Sequence, residues 1–414
     1  MMLGSIKDLV AQLRSSHLLD AGQYAELSEQ VGAYRSTHEL IEDLVRRGWL
    51  TRYQADHINQ GKLESLTIGD YTVLEQLGEG GMGLVYKVRH QRTKRIEVLK
   101  VIRQELKGVS KVARRFDREI EAASKLSHPN IVSAYGAGTV GNIDYFAMEY
   151  VDGIDLGQLV LKEGPMAIRD ACDAIRQAAL GLQHAHEYGL IHRDIKPDNL
   201  LISRRDRVVK LLDLGLCRFQ DQEALDKNAS KLTVSGTALG TPEYMAPEQI
   251  RDSSSVDIRA DLYGLGCTFY YLLAGRDAFA ARTPMEVMYR QVSQEPPPVT
   301  KYRPEVPPAV VRILNKLMAK KREDRYQTPA ELARDLQYLL DHPALLEPGA
   351  DTESPTVVQA SPPPTPVANP VSVPKIVPVR RASASSGVQT VVGAGIVAAV
   401  VFAIALGVFL WLRN

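Results

Sequence analysis

Nine consecutive residues, His192-Arg193-Asp194-Ile195-Lys196-Pro197-Asp198-Asn199-Leu200, constrain this chain more than any other stretch. They gather a carboxylate, an ammonium and a side-chain amide more tightly than chance readily provides. Phosphoryl transfer needs such a set. One group accepts the acceptor hydroxyl's proton, one offsets charge on the moving phosphoryl, and one helps hold a metal ion. Asp194, Lys196 and Asn199 are the respective candidates. A charged surface loop is the plain alternative, and it weakens with each partner motif found in the right order.

The run has the form H-R-D-x-x-x-x-N, and here the chain resembles the eukaryotic-like (Hanks-type) Ser/Thr protein kinases, more narrowly their membrane-anchored bacterial members. Upstream, Gly78-Glu79-Gly80-Gly81-Met82-Gly83 follows an alternating stretch that begins at Tyr71. Dinucleotide-binding folds use similar glycine spacing but require a helix next. Here Leu84-Val85-Tyr86-Lys87-Val88 has the period of a strand, which favours a glycine-rich hairpin folded over phosphates. The resemblance implies that Leu77, Gly78, Gly80, Gly83 and Val85 frame ATP, with Val85 over the adenine.

On the next strand, Arg95 to Ile102, the resemblance makes Lys100 the grip on the α- and β-phosphates, paired with a glutamate from the following helix. The apolar positions Phe116, Ile120 and Ala123 place Glu119 beside the inward face and Glu121 further from it, so Glu119 is preferred. Tyr145 to Gly153 resembles the hinge between two lobes, where the Glu149 carbonyl and the Val151 amide would bond adenine through the backbone. Asp213-Leu214-Gly215 resembles the metal motif, making Asp213 and Asn199 the expected holders of Mg²⁺, with Mn²⁺ the alternative. Glu97, Val98 and Leu214 depart from the family pattern and motivate the other reading, an ATP-binding scaffold without transfer.

Asp213 to Glu248 matches an activation segment. Thr233, Ser235 and Thr237 are its candidate autophosphorylation sites, with Arg193 as the cation a phosphate there could meet. Lys196 and Gly240-Thr241-Pro242-Glu243 resemble the Ser/Thr rather than the Tyr kinases, so the expected acceptor is a protein serine or threonine hydroxyl. Asp261 is expected to brace the catalytic loop and Arg325 to pair with Glu248.

A net charge of +1 gives no basic field for nucleic acid, and none is expected as a partner. The three cysteines lack metal or disulfide spacing and fit a reducing compartment. Residues 1–62 read as a small all-α module with Asp20 and Ser36 as helix caps. Its run Arg46-Arg47-Gly48-Trp49-Leu50-Thr51-Arg52-Tyr53-Gln54-Ala55 resembles modules placed just before kinase domains in some bacterial proteins. It carries no catalytic constellation, so a packing role or a protein-binding surface is expected.

Residues 70–340 form the expected kinase domain, with an N-lobe over 70–150 and a C-lobe over 151–340. Residues 341–387 read as a Pro/Ser/Thr-rich linker and 388–412 as one transmembrane helix. Its apolar core, Val391 to Leu412, would extend about 33 Å as a helix. Arg380 and Arg381 precede it, which places the kinase domain in the cytoplasm. Met1 to Val10 lacks a secretory pattern. The expected fold class is thus α+β, a two-lobed protein kinase fold with a helical module before it and a linker and membrane span after it.

Overall fold

Short polar residues close the first turns of the amino-terminal helices, as their sequence offsets require. In a computed structural model describing residues 5–79, 83–102, 120, 125–212, 218–219, 241–252 and 256–348, Ser5 caps α1 (Ile6–Ser15) and Asp20 caps α2 (Ala21–Gln30). Ser36 caps α3 (Thr37–Arg46) and Thr51 caps α4 (Arg52–Asn59). Each side-chain oxygen satisfies an amide that the helix leaves without a partner. Gly48, at φ +70°, supplies the left-handed residue that turns the chain out of α3. The apolar stripes then converge: Leu9, Leu13, Leu40, Ile41, Leu44 and Ile58 form one buried cluster, closed by Leu66.

A six-stranded antiparallel sheet follows, built from β1 (Thr67–Ile68), β2 (Tyr71–Glu79), β3 (Gly83–His90), β4 (Ile96–Ile102), β5 (Ala134–Val140) and β6 (Ile143–Glu149). Its spatial order is β1-β2-β3-β4-β6-β5. Gly83 is required where β3 meets β4, since a Cβ there would lie 1.7 Å from the Val101 carbonyl oxygen. The β2–β3 ladder slips twice, between Val73 and Glu75 and between Gln76 and Gly78. Each slip leaves one residue of β2, Leu74 and then Leu77, without a partner in the β3 register, as a bulge does.

The second lobe is helical. The helix Ile258–Ala274 is buried on nearly every face, and Ile168–Glu187 packs along it. Such all-round burial marks the centre of a lobe rather than its surface. A small sheet of β7 (Gly153–Asp155), β9 (Leu200–Ser203) and β10 (Val209–Leu211) lies across the front, leaving the catalytic loop between β8 (Leu190–Ile191) and β9.

The lobes are tied by backbone and side chain together. Ile131 bridges Leu211 in parallel. The Leu211 amide donates to the Asn130 carbonyl at 2.9 Å, and Asn130 Nδ2 donates to the Val209 carbonyl at 2.8 Å. Among the described residues no helix is long and apolar enough to cross a membrane. The span expected over 388–412 lies outside those residues, as does nearly all of the linker expected over 341–387.

Candidate active site

The catalytic loop is held from below by one buried carboxylate. Asp261, in the first turn of Ile258–Ala274, accepts the main-chain amides of His192 and Arg193, each at 2.7 Å. Full burial raises the Asp261 carboxyl above its ordinary range, while His192 and the two amides act in the opposite direction. The bracing supports an uncommon backbone, because Arg193 sits at φ +69°. A non-glycine residue in that region needs its surroundings to hold it. Gln249 contributes as well, its Nε2 donating to the Arg193 carbonyl at 3.0 Å.

His192 links this loop to the strand leading toward Asp213. Its Nε2 lies 2.7 Å from the Leu212 carbonyl, and the Asp194 amide approaches its Nδ1 at 3.4 Å. A carbonyl can only accept, so the proton belongs on Nε2 and Nδ1 is the acceptor. Asn199 continues the chain of contacts, as its main-chain carbonyl accepts the Leu212 amide at 2.9 Å.

The three chemically equipped side chains of the nonamer converge. Asn199 Nδ2 donates to the Asp194 carbonyl at 2.7 Å and to Asp194 Oδ2 at 3.1 Å. Lys196 Nζ lies 3.2 Å from the same carboxylate oxygen and donates to Thr241 Oγ1 at 2.9 Å. Both side chains of that ion pair are mostly withdrawn from solvent. The carboxylate therefore has a fixed direction before any acceptor arrives, and pre-organisation of this kind favours transfer chemistry.

Asn199 fits the expected metal role chemically. Its amide nitrogen is committed to Asp194, which leaves Oδ1 as a neutral oxygen donor suited to a hard divalent cation. Mg²⁺ typically uses one or two protein ligands together with substrate phosphates, so a dense protein cage is not needed. Asp213, the expected second ligand, lies outside the described residues. So do Gly80, Glu119 and the segment carrying Thr233, Ser235 and Thr237.

The remaining nucleotide candidates lie on the first lobe and its exit. Leu77 and Gly78 are on β2, Gly83 and Val85 on β3, and Lys100 on β4 opposite Val85 and Phe146. Val98 and Lys100 share one face of β4, with Val98 opposite Met148. Glu97 points to the other face, where it is fully buried and accepts Arg95 Nε at 2.8 Å. That departure from the family pattern thus serves the packing of the sheet's far side. Val151 lies between β6 and β7, two residues past Glu149.

Glu149 also has a structural tie that its sequence context did not reveal. Its carboxylate accepts Lys210 Nζ at 3.0 Å and the Ser133 amide at 3.1 Å, tying the end of β6 to β10. Thr241, Gln249 and Lys210 are further site-supporting residues missed by motif reading. Only the position of Thr241, 45 residues from Lys196 but inside a quoted motif, offered any sequence signal.

Behind the loop, Arg325 is fully buried and makes a two-pronged pair with Glu248, at 2.6 and 3.0 Å. Nearby, Lys320 donates to the Tyr263 hydroxyl and the Gln291 carbonyl, both at 2.9 Å. Burial pushes the Lys320 ammonium down to about 8 from its ordinary 10.5. Between those values the unfolded chain binds the extra proton, so this group's contribution to stability rises with pH through that window. Thermal melts should show wild type gaining on Lys320→Met as pH increases from about 7.5 to about 9.5. A gap that stays constant or widens against wild type would contradict the burial assigned to this amine.

A two-lobed fold, a carboxylate pre-set by a lysine and an asparagine, and a glycine-rich hairpin on the facing lobe define the protein kinase class. The protein kinase domain family model matches residues 71–341, and the chain belongs to that family, as a bacterial Hanks-type member. It is similar to serine/threonine-protein kinase PknB of Mycolicibacterium smegmatis, at 38% identity over 270 residues, covering 64% of this chain and 42% of that protein. It is also similar to serine/threonine-protein kinase pkn3 of Myxococcus xanthus, at 36% identity, covering 64% of this chain and 49% of the relative. The chain therefore spans less than half the length of these curated relatives. The crystal structure of the Mycobacterium tuberculosis PknI kinase domain superposes with a TM-score of 0.51 at 28% identity, covering 66% of this chain and 97% of that domain.

Proposed function

We propose that this protein is a serine/threonine protein kinase that transfers the γ-phosphoryl group of ATP to serine or threonine hydroxyls of proteins. The observation that carries the reading is the Asp194 carboxylate, oriented by Asn199 and Lys196 in a loop pinned by Asp261. Relatives bearing the serine/threonine-protein kinase name support the choice of acceptor.

Asp194 would accept the hydroxyl proton as the acceptor oxygen attacks. Lys196, within reach of the same carboxylate, would offset charge on the transferred group. Lys100 would grip the α- and β-phosphates, with Glu119 as its partner, while the Glu149 carbonyl and Val151 amide bond the adenine. Asn199 and Asp213 would hold Mg²⁺, which when bound neutralises charge building on the phosphates. Little covalent chemistry falls to the protein; positioning and electrostatics carry the rate.

The same reading extends outward. Autophosphorylation at Thr233, Ser235 or Thr237 would order the activation segment, residues 388–412 would anchor the chain in the cell membrane with the kinase domain cytoplasmic, and residues 1–62 would meet a protein partner. Incubation with γ-labelled ATP and Mg²⁺ should place label on the protein or a generic substrate, recoverable as phosphoserine or phosphothreonine. Chelation of divalent cations should abolish the labelling. Binding of ATP without any labelled hydroxyl would overturn the proposal.

A further inference from the structure

The run Leu50-Thr51-Arg52-Tyr53-Gln54 in the helical module has no place in the transfer chemistry, yet it reaches the strand that carries the glycine-rich turn. Thr51 caps α4, and two residues of the first turn bind each other reciprocally. The Gln54 amide donates to Thr51 Oγ1 at 3.1 Å, and the Thr51 amide donates to Gln54 Oε1 at 2.9 Å. Neither side chain spends a donor within this pair, and each directs one to β2. Thr51 Oγ1 donates to the Leu74 carbonyl at 2.5 Å, and Gln54 Nε2 donates to the Val73 carbonyl at 2.7 Å. Gln54 is 2% exposed, so its bond to Val73 does not compete with water, while the Thr51 bond is partly buried.

The strand needs these partners. On its outer side β2 pairs with β1 only at Tyr71 and Thr72. On its inner side the first bulge drops Leu74 from the register with β3. Carbonyls at such a place need another donor, because buried main-chain groups without partners are costly. The second bulge follows at Leu77, directly before Gly78. Among the described residues the segment from Glu75 to Glu79 pairs with β3, and α4 reaches β2 at the base of that segment. Tyr53 packs into the sheet's own apolar cluster beside Tyr86 and reinforces the same base.

We propose that Thr51 and Gln54 are positioning residues for the nucleotide: the first turn of α4 pins the base of β2 and so sets where Leu77 and Gly78, with Val85 paired opposite Gly78, stand toward the nucleotide. The helical module then acts on ATP affinity through the strand, without touching ATP. This inference rests on the proposed kinase function, and nucleotide binding is the property it predicts.

The test uses the full chain and Mg²⁺ with a non-hydrolysable ATP analogue, with calorimetric Kd, the ATP KM against kcat, and amide hydrogen exchange as readouts. Thr51→Val and Gln54→Ala should each weaken nucleotide binding by about tenfold, the scale of one lost buried hydrogen bond, with KM rising in parallel. The kcat at saturating ATP should stay within about threefold, since Asp194 and its partners are untouched. Thr51→Ser, which retains the hydroxyl donor, should bind as wild type does. Variants that melt earlier but bind with unchanged Kd would reduce the pair to a structural role and overturn the inference.

A wild-type measurement covers the case in which a variant fails to fold. Coupling is reciprocal, so saturating nucleotide should slow amide exchange in α4 around Gln54 and Ala55 as well as along Val73–Glu79. Bound nucleotide that leaves α4 exchange unchanged overturns the inference while leaving the kinase reading intact. A wild-type chain that binds no nucleotide overturns both.

Discussion

Asp194→Asn is expected to lower kcat by about 10²–10⁴-fold, the range spanned by loss of a positioned proton acceptor. The substitution is nearly isosteric, and the new side-chain oxygen can still accept from Asn199 Nδ2, which now sits 3.1 Å from Asp194 Oδ2. The main-chain bonds that shape the loop also survive, because Asp261 and Asn199 bind backbone atoms there. What disappears is negative charge: the amide cannot take a proton from an attacking hydroxyl, and Lys196 loses its counter-ion at 3.2 Å. ATP affinity should change by no more than a few-fold, and the melting temperature should stay close to that of wild type. Initial rates with saturating ATP, alongside a nucleotide titration, separate these effects. A variant retaining more than a tenth of wild-type kcat would remove Asp194 from the proton-accepting role.

Arg325→Met should produce the largest loss of stability. Arg325 has no exposed side-chain surface and Glu248 little, so the pair is withdrawn from water. The guanidinium also donates to the carbonyls of Ala319, Lys320 and Arg259, at 2.7, 3.0 and 3.0 Å. Methionine fills much of the volume but leaves a buried carboxylate and three carbonyls without their donor. Breaking one side of a buried pair typically costs about 3–5 kcal/mol, which for a domain of this size lowers the melting temperature by about 10 °C. Arg325→Lys should rescue little, since an ammonium cannot reproduce the fork. Arg325→Met combined with Glu248→Met should recover a large part of the loss, because the stranded charge is then gone. Calorimetry on these variants decides the matter, and a shift of less than about 3 °C for Arg325→Met would show that the pair carries little.

The stability effect should also reach the active site. Glu248 and Gln249 are adjacent on the short helix Pro247–Arg251, and Gln249 donates to the Arg193 carbonyl at 3.0 Å. Loosening Glu248 therefore removes support from the residue at φ +69° next to Asp194. Of the candidate site, the grouping of Asp194, Lys196 and Asn199 was legible because the catalytic loop is a contiguous run with a strong local pattern. Asp261 and the Arg325–Glu248 pair were legible only through resemblance, since they act across 69 and 77 residues. The Glu149–Lys210 tie, across 61 residues, and the grip of Thr51 and Gln54 on β2 left no such trace.

The sequence by itself determined what is settled within a few residues: the caps at Asp20 and Ser36, the alternation of the strands, and the grouping of Asp194, Lys196 and Asn199. Those features follow from local geometry, as a cap bonds three residues ahead and a strand alternates every second one. Tertiary structure alone decided that the helical module completes the hydrogen bonding of β2, and that Glu97 is fully buried and paired with Arg95 on the sheet's far side. A main-chain carbonyl left without a partner by a bulge has no signature in the sequence, because every residue carries one. Which side chain reaches it depends on how the two units pack, and packing is a property of the folded whole.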